Sequence, residues 1–273
     1  MRGEPTAGPA SGQTAAVHAA RHLQILAAEG GRVAALPADA LEARVPTLAD
    51  WDVERVVRHL AKLHHWVRGA LALPPDGAMA DIGPLPEVPK GPDCLAAYRE
   101  SLDLLLAAVE ARRPDEPCAS FIGRESVGWW LRRQAHEVTV HRIDAQDAVH
   151  AAGGPAPDPI DPDAAADGID EWARVFLAVR YGQRFGSIPE ALAHRTVHIH
   201  GTDDPAPADG AEWLLAFGNQ GVSVEATHAK GDVALRGPSA DLLLVLWRRR
   251  PLDLLDIVGD ATVAEHLIEA AQF

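Results

Sequence analysis

The sequence predicts an α+β protein in which an N-terminal four-helix bundle is followed by a smaller domain of antiparallel strands and helices. Three observations carry that expectation. Apolar residues recur at three and four spacing in four long segments before residue 150. A stretch rich in Gly, Pro and Asp, HAAGGPAPDPIDP, then interrupts the helical pattern over 150–162. Beyond residue 195 the apolar period falls from about four to two. The expected organisation is therefore a disordered tail over 1–13, a bundle over 14–150, a linker and connecting helix over 151–194, and an α+β domain over 195–273.

Each element has its own signal. The tail, MRGEPTAGPASGQ, lacks the hydrophobic core of a signal peptide and reads as mobile. A first helix is expected over 14–35, where Val17, Leu23, Ile25 and Leu26 lie among alanines. Asp50 is the expected N-cap of a second, amphipathic helix carrying Val53, Val56, Val57, Leu60 and Leu63. Proline and glycine crowd residues 74–92 and dictate an irregular connection. A third helix is expected over 93–113, stopping before Pro114, and a fourth over 126–149. After the linker, DAAADGIDEWARVFLAVRY reads as a connecting helix. RTVHIHGTD alternates Val197 and Ile199 against His198 and His200, an edge-like strand whose histidines are expected to face solvent. EWLLAFG, GVSVEA and GDVALRG repeat that style, SADLLLVLWRRR reads as a helix, LDLLDIVG as a last strand and ATVAEHLIEAA as the closing helix.

Composition removes several function classes. Lys and Arg number 25 against 39 Asp and Glu, a formal charge of -14 over 273 residues. A field of that sign repels phosphate backbones and anionic lipid, so neither nucleic acid nor a membrane surface is an expected partner. The longest apolar runs, such as Leu242 to Trp247, are far too short for a membrane span. The two cysteines, Cys94 and Cys118, are far apart, which implies neither a disulfide framework nor a thiolate metal site, and a reducing cytoplasm is the default expectation.

The chemistry concentrates in QAHEVTVHRIDA, residues 134–145. Four residues advance a helix by about 400°, so Glu137 and His141 project from one side a turn apart, while His136 and Arg142 point elsewhere. Asp144 falls on the same stripe. A solvated Glu/His pair, a satisfied core histidine and two legs of a metal site all fit that spacing. On the second helix His59 lies on or beside the apolar stripe, with His64 and His65 farther round toward solvent. A buried imidazole nitrogen without a partner costs about 1–3 kcal/mol, so His59 needs one. Glu137 and His141 across the bundle meet that need, either by hydrogen bonding alone or around a cation.

VPTLADWDVERVVRHLAKLHHW together with WWLRRQAHEVTVHRIDAQDA resembles the mycothiol-dependent maleylpyruvate isomerase family of DinB-like metalloenzymes, found in actinobacteria, and the likeness continues through EWLLAFG and DVALRGPSADLLLVLWRRRPLDLLDIVGDA. The resemblance implies a DinB-like four-helix bundle, a divalent metal (zinc in most members) held by His59, Glu137 and His141, and mycothiol as thiol cosubstrate. It implies a zinc-dependent isomerase or S-transferase whose thiolate adds to a small electrophile. In an isomerisation the addition is followed by rotation and elimination. Two imidazoles and a carboxylate leave a coordination position open, as catalytic zinc sites do. Metal-dependent hydrolysis by activated water is a second expectation, and a non-catalytic metal or small-molecule binding module a third.

Other residues carry weaker signals. Asp144 reads as a solvated helix-surface residue, with acceptance of the second ring N–H of His141 as the alternative. The run Arg248, Arg249 and Arg250 complements a helix C-terminus; on the resemblance, Arg249 aligns with an arginine that reaches substrate or thiol carboxylates. Trp129 and Trp130 read as packing or pocket wall. Many relatives read VPTCPGW where this chain has Thr47, Leu48, Ala49, Asp50 and Trp51, a departure at the entrance to the metal-bearing helix. Substrate identity and the choice between monomer and homodimer leave no mark in the sequence.

Overall fold

The computed structural model describes residues 9–219 and 221–272. Most of the expected tail, residues 1–8, lies outside the described residues, while residues 9–13 already belong to the first helix. The chain divides into two compact units, residues 1–158 and 159–273. No described helix is long and apolar enough to cross a membrane.

The first unit is built on α1 (Pro9–Ala34), α2 (Val53–Ala72), α3 (Asp93–Glu110) and α4 (Val127–Ala151). α1 packs on α4 and α3, and α2 packs on α3 and α4. The two consecutive helices α1 and α2 therefore lie on a diagonal of the bundle, and α4 meets both. Its core runs from Leu26 and Val33 through Val56, Val57 and Leu60 to Leu105, Trp130 and Val138.

Capping sets where the two site-bearing helices begin. Asp52 rather than the expected Asp50 caps α2, its carboxylate accepting from the backbone N–H of Arg55 at 2.8 Å. Ser126 caps α4 by accepting from Trp129 N–H at 3.2 Å. A two-stranded hairpin, β1 (Pro117–Ser120) and β2 (Gly123–Ser126), connects α3 to α4. The sequence reading missed it, because strands of four residues are too short to display an alternation. Beside it, Trp66, Phe121, Trp129 and Trp130 form an aromatic cluster, edge to face except for the stacked Trp66 and Phe121, with the indole N–H of Trp130 donating to Ala119 O at 2.8 Å.

The second unit opens with α5 (Pro162–Glu171), which continues through a π-helical stretch (Trp172–Arg180) into α6 (Tyr181–Phe185). Asp161 caps α5, accepting from Ala164 N–H at 3.0 Å. A five-stranded sheet follows in the order β5-β4-β3-β6-β7, formed by β3 (Thr196–Gly201), β4 (Glu212–Gly218), β5 (Gly221–Glu225), β6 (Val233–Gly237) and β7 (Asp256–Gly259). Helices α7 (Ser239–Leu246) and α8 (Ala261–Ala270) complete it. Neighbouring strands are antiparallel except β3 and β6, which run parallel. β3 is thus a central strand and not an edge, and His198 is buried rather than facing solvent. Alternation along a strand fixes which residues share a face, but pairing order is a long-range property that alternation does not encode.

Candidate metal centre

α2 and α4 bring His59, Glu137 and His141 together across the bundle. His59 Nε2 lies 3.2 Å from Glu137 Oε1, and His141 Nε2 lies 3.3 Å from the same oxygen. The two imidazoles meet edge to face with ring centroids 4.8 Å apart. Metal–ligand bonds of about 2.0–2.1 Å set the edges of a tetrahedron at about 3.3–3.4 Å, which these two spacings match, and the three donor atoms all lie within 4.8 Å of one another.

The surroundings hold each group in place. Arg133, one turn before Glu137, donates to its other carboxylate oxygen at 2.8 Å. Burial would raise the Glu137 pKa, but the Arg133 guanidinium and the hydrogen bonds from both histidines outweigh it and hold the carboxyl well below the usual range. His141 Nδ1 is 2.8 Å from Asp144 Oδ2, and Asp144 is fully buried. The surface-solvated reading of Asp144 is therefore corrected: this face of α4 turns inward, and the carboxylate meets the imidazole instead of water. Burial depresses the His141 pKa, yet the hydrogen bonds and charges of Asp144 and Glu137 prevail and raise it to about 9. The pocket accordingly favours positive charge at His141.

The turn before α2 supplies the wall. Trp51 N–H donates to Leu48 O at 2.9 Å, and Val45 N–H to Trp51 O at 3.0 Å. That turn lays the Trp51 indole flat against His141 and edge-on to His59, with centroids 5.6 and 5.0 Å away. Outside it, a cleft of about 470 Å³ is lined by Trp51, His59, four cationic side chains, Arg55, Arg58, Lys62 and Lys90, and two carboxylates, Asp52 and Glu54. In a chain of formal charge -14 this local excess of cations suits an anionic ligand.

Other expectations resolve differently. His64, expected toward solvent, is fully buried, because the stripe that enters the core is Val53, Val57, Leu60, His64, Val67 and Leu71. His59 sits at the rim of that stripe with its side chain one-third exposed, the position from which it can face a cleft. Cys94 and Cys118 are buried free thiols whose pKa values burial pushes up to about 11, so neither supplies a thiolate at neutral pH. Arg249 follows α7 in the second unit and donates to Trp247 O at 2.7 Å. Arg133 and Trp51 were not singled out from sequence as parts of the site. For Arg133, its position four residues before Glu137 was the available signal.

Residues 22–146 match the family model of the mycothiol maleylpyruvate isomerase N-terminal domain, and residues 163–266 match the C-terminal domain model of the same family. A crystal structure of the mycothiol-dependent maleylpyruvate isomerase, in a histidine-to-alanine mutant form, superposes with a TM-score of 0.54 at 11% identity, covering 88% of this chain and 92% of that one. No curated protein sequence matches.

Proposed function

Because the chain belongs to the mycothiol maleylpyruvate isomerase family, we propose that it is a mycothiol-using isomerase for a small anionic electrophile, with zinc or another divalent metal held by His59, Glu137 and His141. S-transfer with the same thiol is the neighbouring outcome of the same chemistry.

One observation carries the metal reading. His59 Nε2 and His141 Nε2 both converge on Glu137 Oε1, at 3.2 and 3.3 Å, while Asp144 holds Nδ1 of His141 from behind. Two imidazoles and one carboxylate converging on one point are the donor set of a catalytic zinc site, in which the cation takes the place of the ring protons. A cation there satisfies all three groups. When bound, such an ion supplies Lewis acidity that lowers the pKa of a thiol or water in its vicinity.

The chain's own residues do the rest. Asp144 and Arg133 fix the orientation of His141 and Glu137, Trp51 excludes water from one side, and Lys62, Lys90, Arg55 and Arg58 attract an anionic substrate to the cleft. Both protein thiols are buried, which leaves the thiol to be supplied from outside. Arg249 is assigned to a substrate carboxylate on the resemblance of its segment alone.

The test is metal analysis of the purified chain alongside thiol-dependent cis–trans isomerisation of maleylpyruvate. Wild type should retain divalent metal at the bundle site and require mycothiol. Glu137→Gln should lose most of that metal and the activity together. Full activity after exhaustive chelation would overturn the reading, and turnover independent of thiol would favour hydrolysis by activated water.

A further inference from the structure

A second set of converging donors lies in the C-terminal unit, on the face of the sheet opposite the buried Val197 and Ile199. His198 and His200 occupy alternate positions of the central strand β3 and so share that face. The antiparallel register with β4 sets Glu212 directly across from His200 and one step diagonal to His198. The Glu212 carboxylate spans both rings, with Oε1 3.1 Å from His200 Nδ1 and Oε2 3.3 Å from His198 Nε2. His228, from the loop between β5 and β6, brings Nδ1 to 2.5 Å from Oε2.

Two features set this cluster apart from a chance patch of surface histidines. The three rings stand nearly perpendicular to one another, at 73°, 89° and 71°, with centroids 5.2–5.7 Å apart. Each ring aims a nitrogen at a common centre, and all four donor atoms lie within 4.8 Å of one another. The donors are also placed in advance. β3 is held on both sides by its neighbours, and the loop bearing His228 is tied back to β3 where Asp232 accepts from Thr196 N–H at 2.7 Å and Thr196 Oγ1 at 2.8 Å.

We propose that His198, His200, Glu212 and His228 form a second divalent transition-metal site, distinct from the cluster in the bundle. Three imidazole nitrogens and one carboxylate oxygen are a borderline donor set that suits Zn²⁺, Ni²⁺ or Cu²⁺ and not Mg²⁺ or Ca²⁺. Four protein donors complete a tetrahedral shell, so the site is structural: it fastens the 226–232 loop to the centre of the sheet, and His228 is the ligand through which metal enters and leaves.

The test uses the full chain stripped with chelator and reloaded with Co²⁺, reading stoichiometry by native mass spectrometry and coordination by visible d–d absorption. His59→Ala, which removes a ligand of the bundle cluster, should still bind one Co²⁺ with the intense absorption of a tetrahedral ion. His228→Asn, a change on an exposed loop that leaves the sheet intact, should weaken that binding by at least about tenfold. His194→Asn, at another exposed histidine, should leave it unchanged. A folded His59→Ala protein that binds no ion, or a His228→Asn protein that binds as tightly as its parent, would overturn the proposal. Neither outcome bears on the bundle cluster, whose metal is read separately in the His228→Asn protein.

Discussion

The Trp51 indole and the His141 imidazole lie parallel, 2° apart in plane with centroids separated by 5.6 Å. This stack makes the turn before α2 part of the site wall, at the very segment where the chain departs from the VPTCPGW of many relatives. Trp51 also carries the Arg55 guanidinium 4.9 Å above its ring, which links the wall to the cationic mouth of the cleft. Trp51 donates no metal ligand, so Trp51→Ala should leave metal content at the wild-type level while lowering kcat/KM by about tenfold or more. Trp51→Phe, which keeps a flat ring, should recover part of the loss. Metal analysis run beside steady-state kinetics checks both, and loss of metal in Trp51→Ala would show that the indole holds the ligands themselves.

Asp144 meets the site at His141 Nδ1. Asp144→Asn keeps the size of the side chain but replaces a carboxylate by an amide, removing the charge that makes the imidazole basic and fixes its tautomer. Metal affinity should fall by about 10–100-fold, the usual effect of losing the group behind a ligating histidine. Competition with a chromophoric chelator measures it. An unchanged affinity would mean that Asp144 serves packing alone.

How much of this was readable beforehand depends on whether the information is local. Glu137 and His141 were legible because a helix converts a spacing of four into a shared face, and the bundle followed from apolar periodicity. His59 and His64 exchanged places relative to expectation. Both lie near the apolar stripe, and only packing shows that His64 continues Val57 and Leu60 while His59 faces the rim. The turn holding Trp51 against His141 joins residues about 90 apart in the chain, beyond the reach of any periodicity. The His198 and His200 pair was visible as an alternation, but Glu212 and His228 join it only through strand register and loop return, which are set by the whole sheet.

His64 makes a pH-dependent contribution to stability that can be isolated. Ser101 Oγ donates to Tyr98 O, so it accepts from Nδ1–H of His64 at 2.9 Å, and Nε2 is left buried without a hydrogen-bond partner among the described residues. Protonation would place a charge there, and burial pushes the His64 pKa down to about 3. An unfolded chain protonates this histidine near pH 6.5, so between the two values the unfolded state binds more protons and stability falls as pH falls. The loss is at most about 1.4 kcal/mol per pH unit across that window and absent above it. His64→Gln should therefore cost stability at pH 7.5 but lose less between pH 6.5 and 4.5 than wild type. Urea midpoints of the two proteins at several pH values measure the difference, in which the other titrating groups cancel. Parallel pH profiles would remove His64 as the cause.

The Glu29 and Arg142 pair ties α4 to α1. Arg142 is fully buried, and its Nε donates to Glu29 Oε2 at 2.6 Å from α4 to α1, with Nη1 donating to Gln146 Oε1 at 3.0 Å and to Asp158 O. Arg32 donates to the other Glu29 oxygen at 2.5 Å. Glu29→Ala would leave the Arg142 guanidinium buried without its carboxylate, a defect that costs about 3–5 kcal/mol in comparable settings. Glu29→Gln keeps an acceptor and should cost less. Replacing both partners, Glu29→Met with Arg142→Leu, should recover much of the loss, because a buried ion pair stabilises less than its rupture destabilises. Chemical denaturation of the four proteins tests the ordering. If Glu29→Ala and the double variant prove equally unstable, the missing charge is not the cause, and packing between α1 and α4 is. Since α4 carries Glu137 and His141, metal affinity measured on the double variant also asks whether the pair sets the ligand positions or only the strength of the bundle.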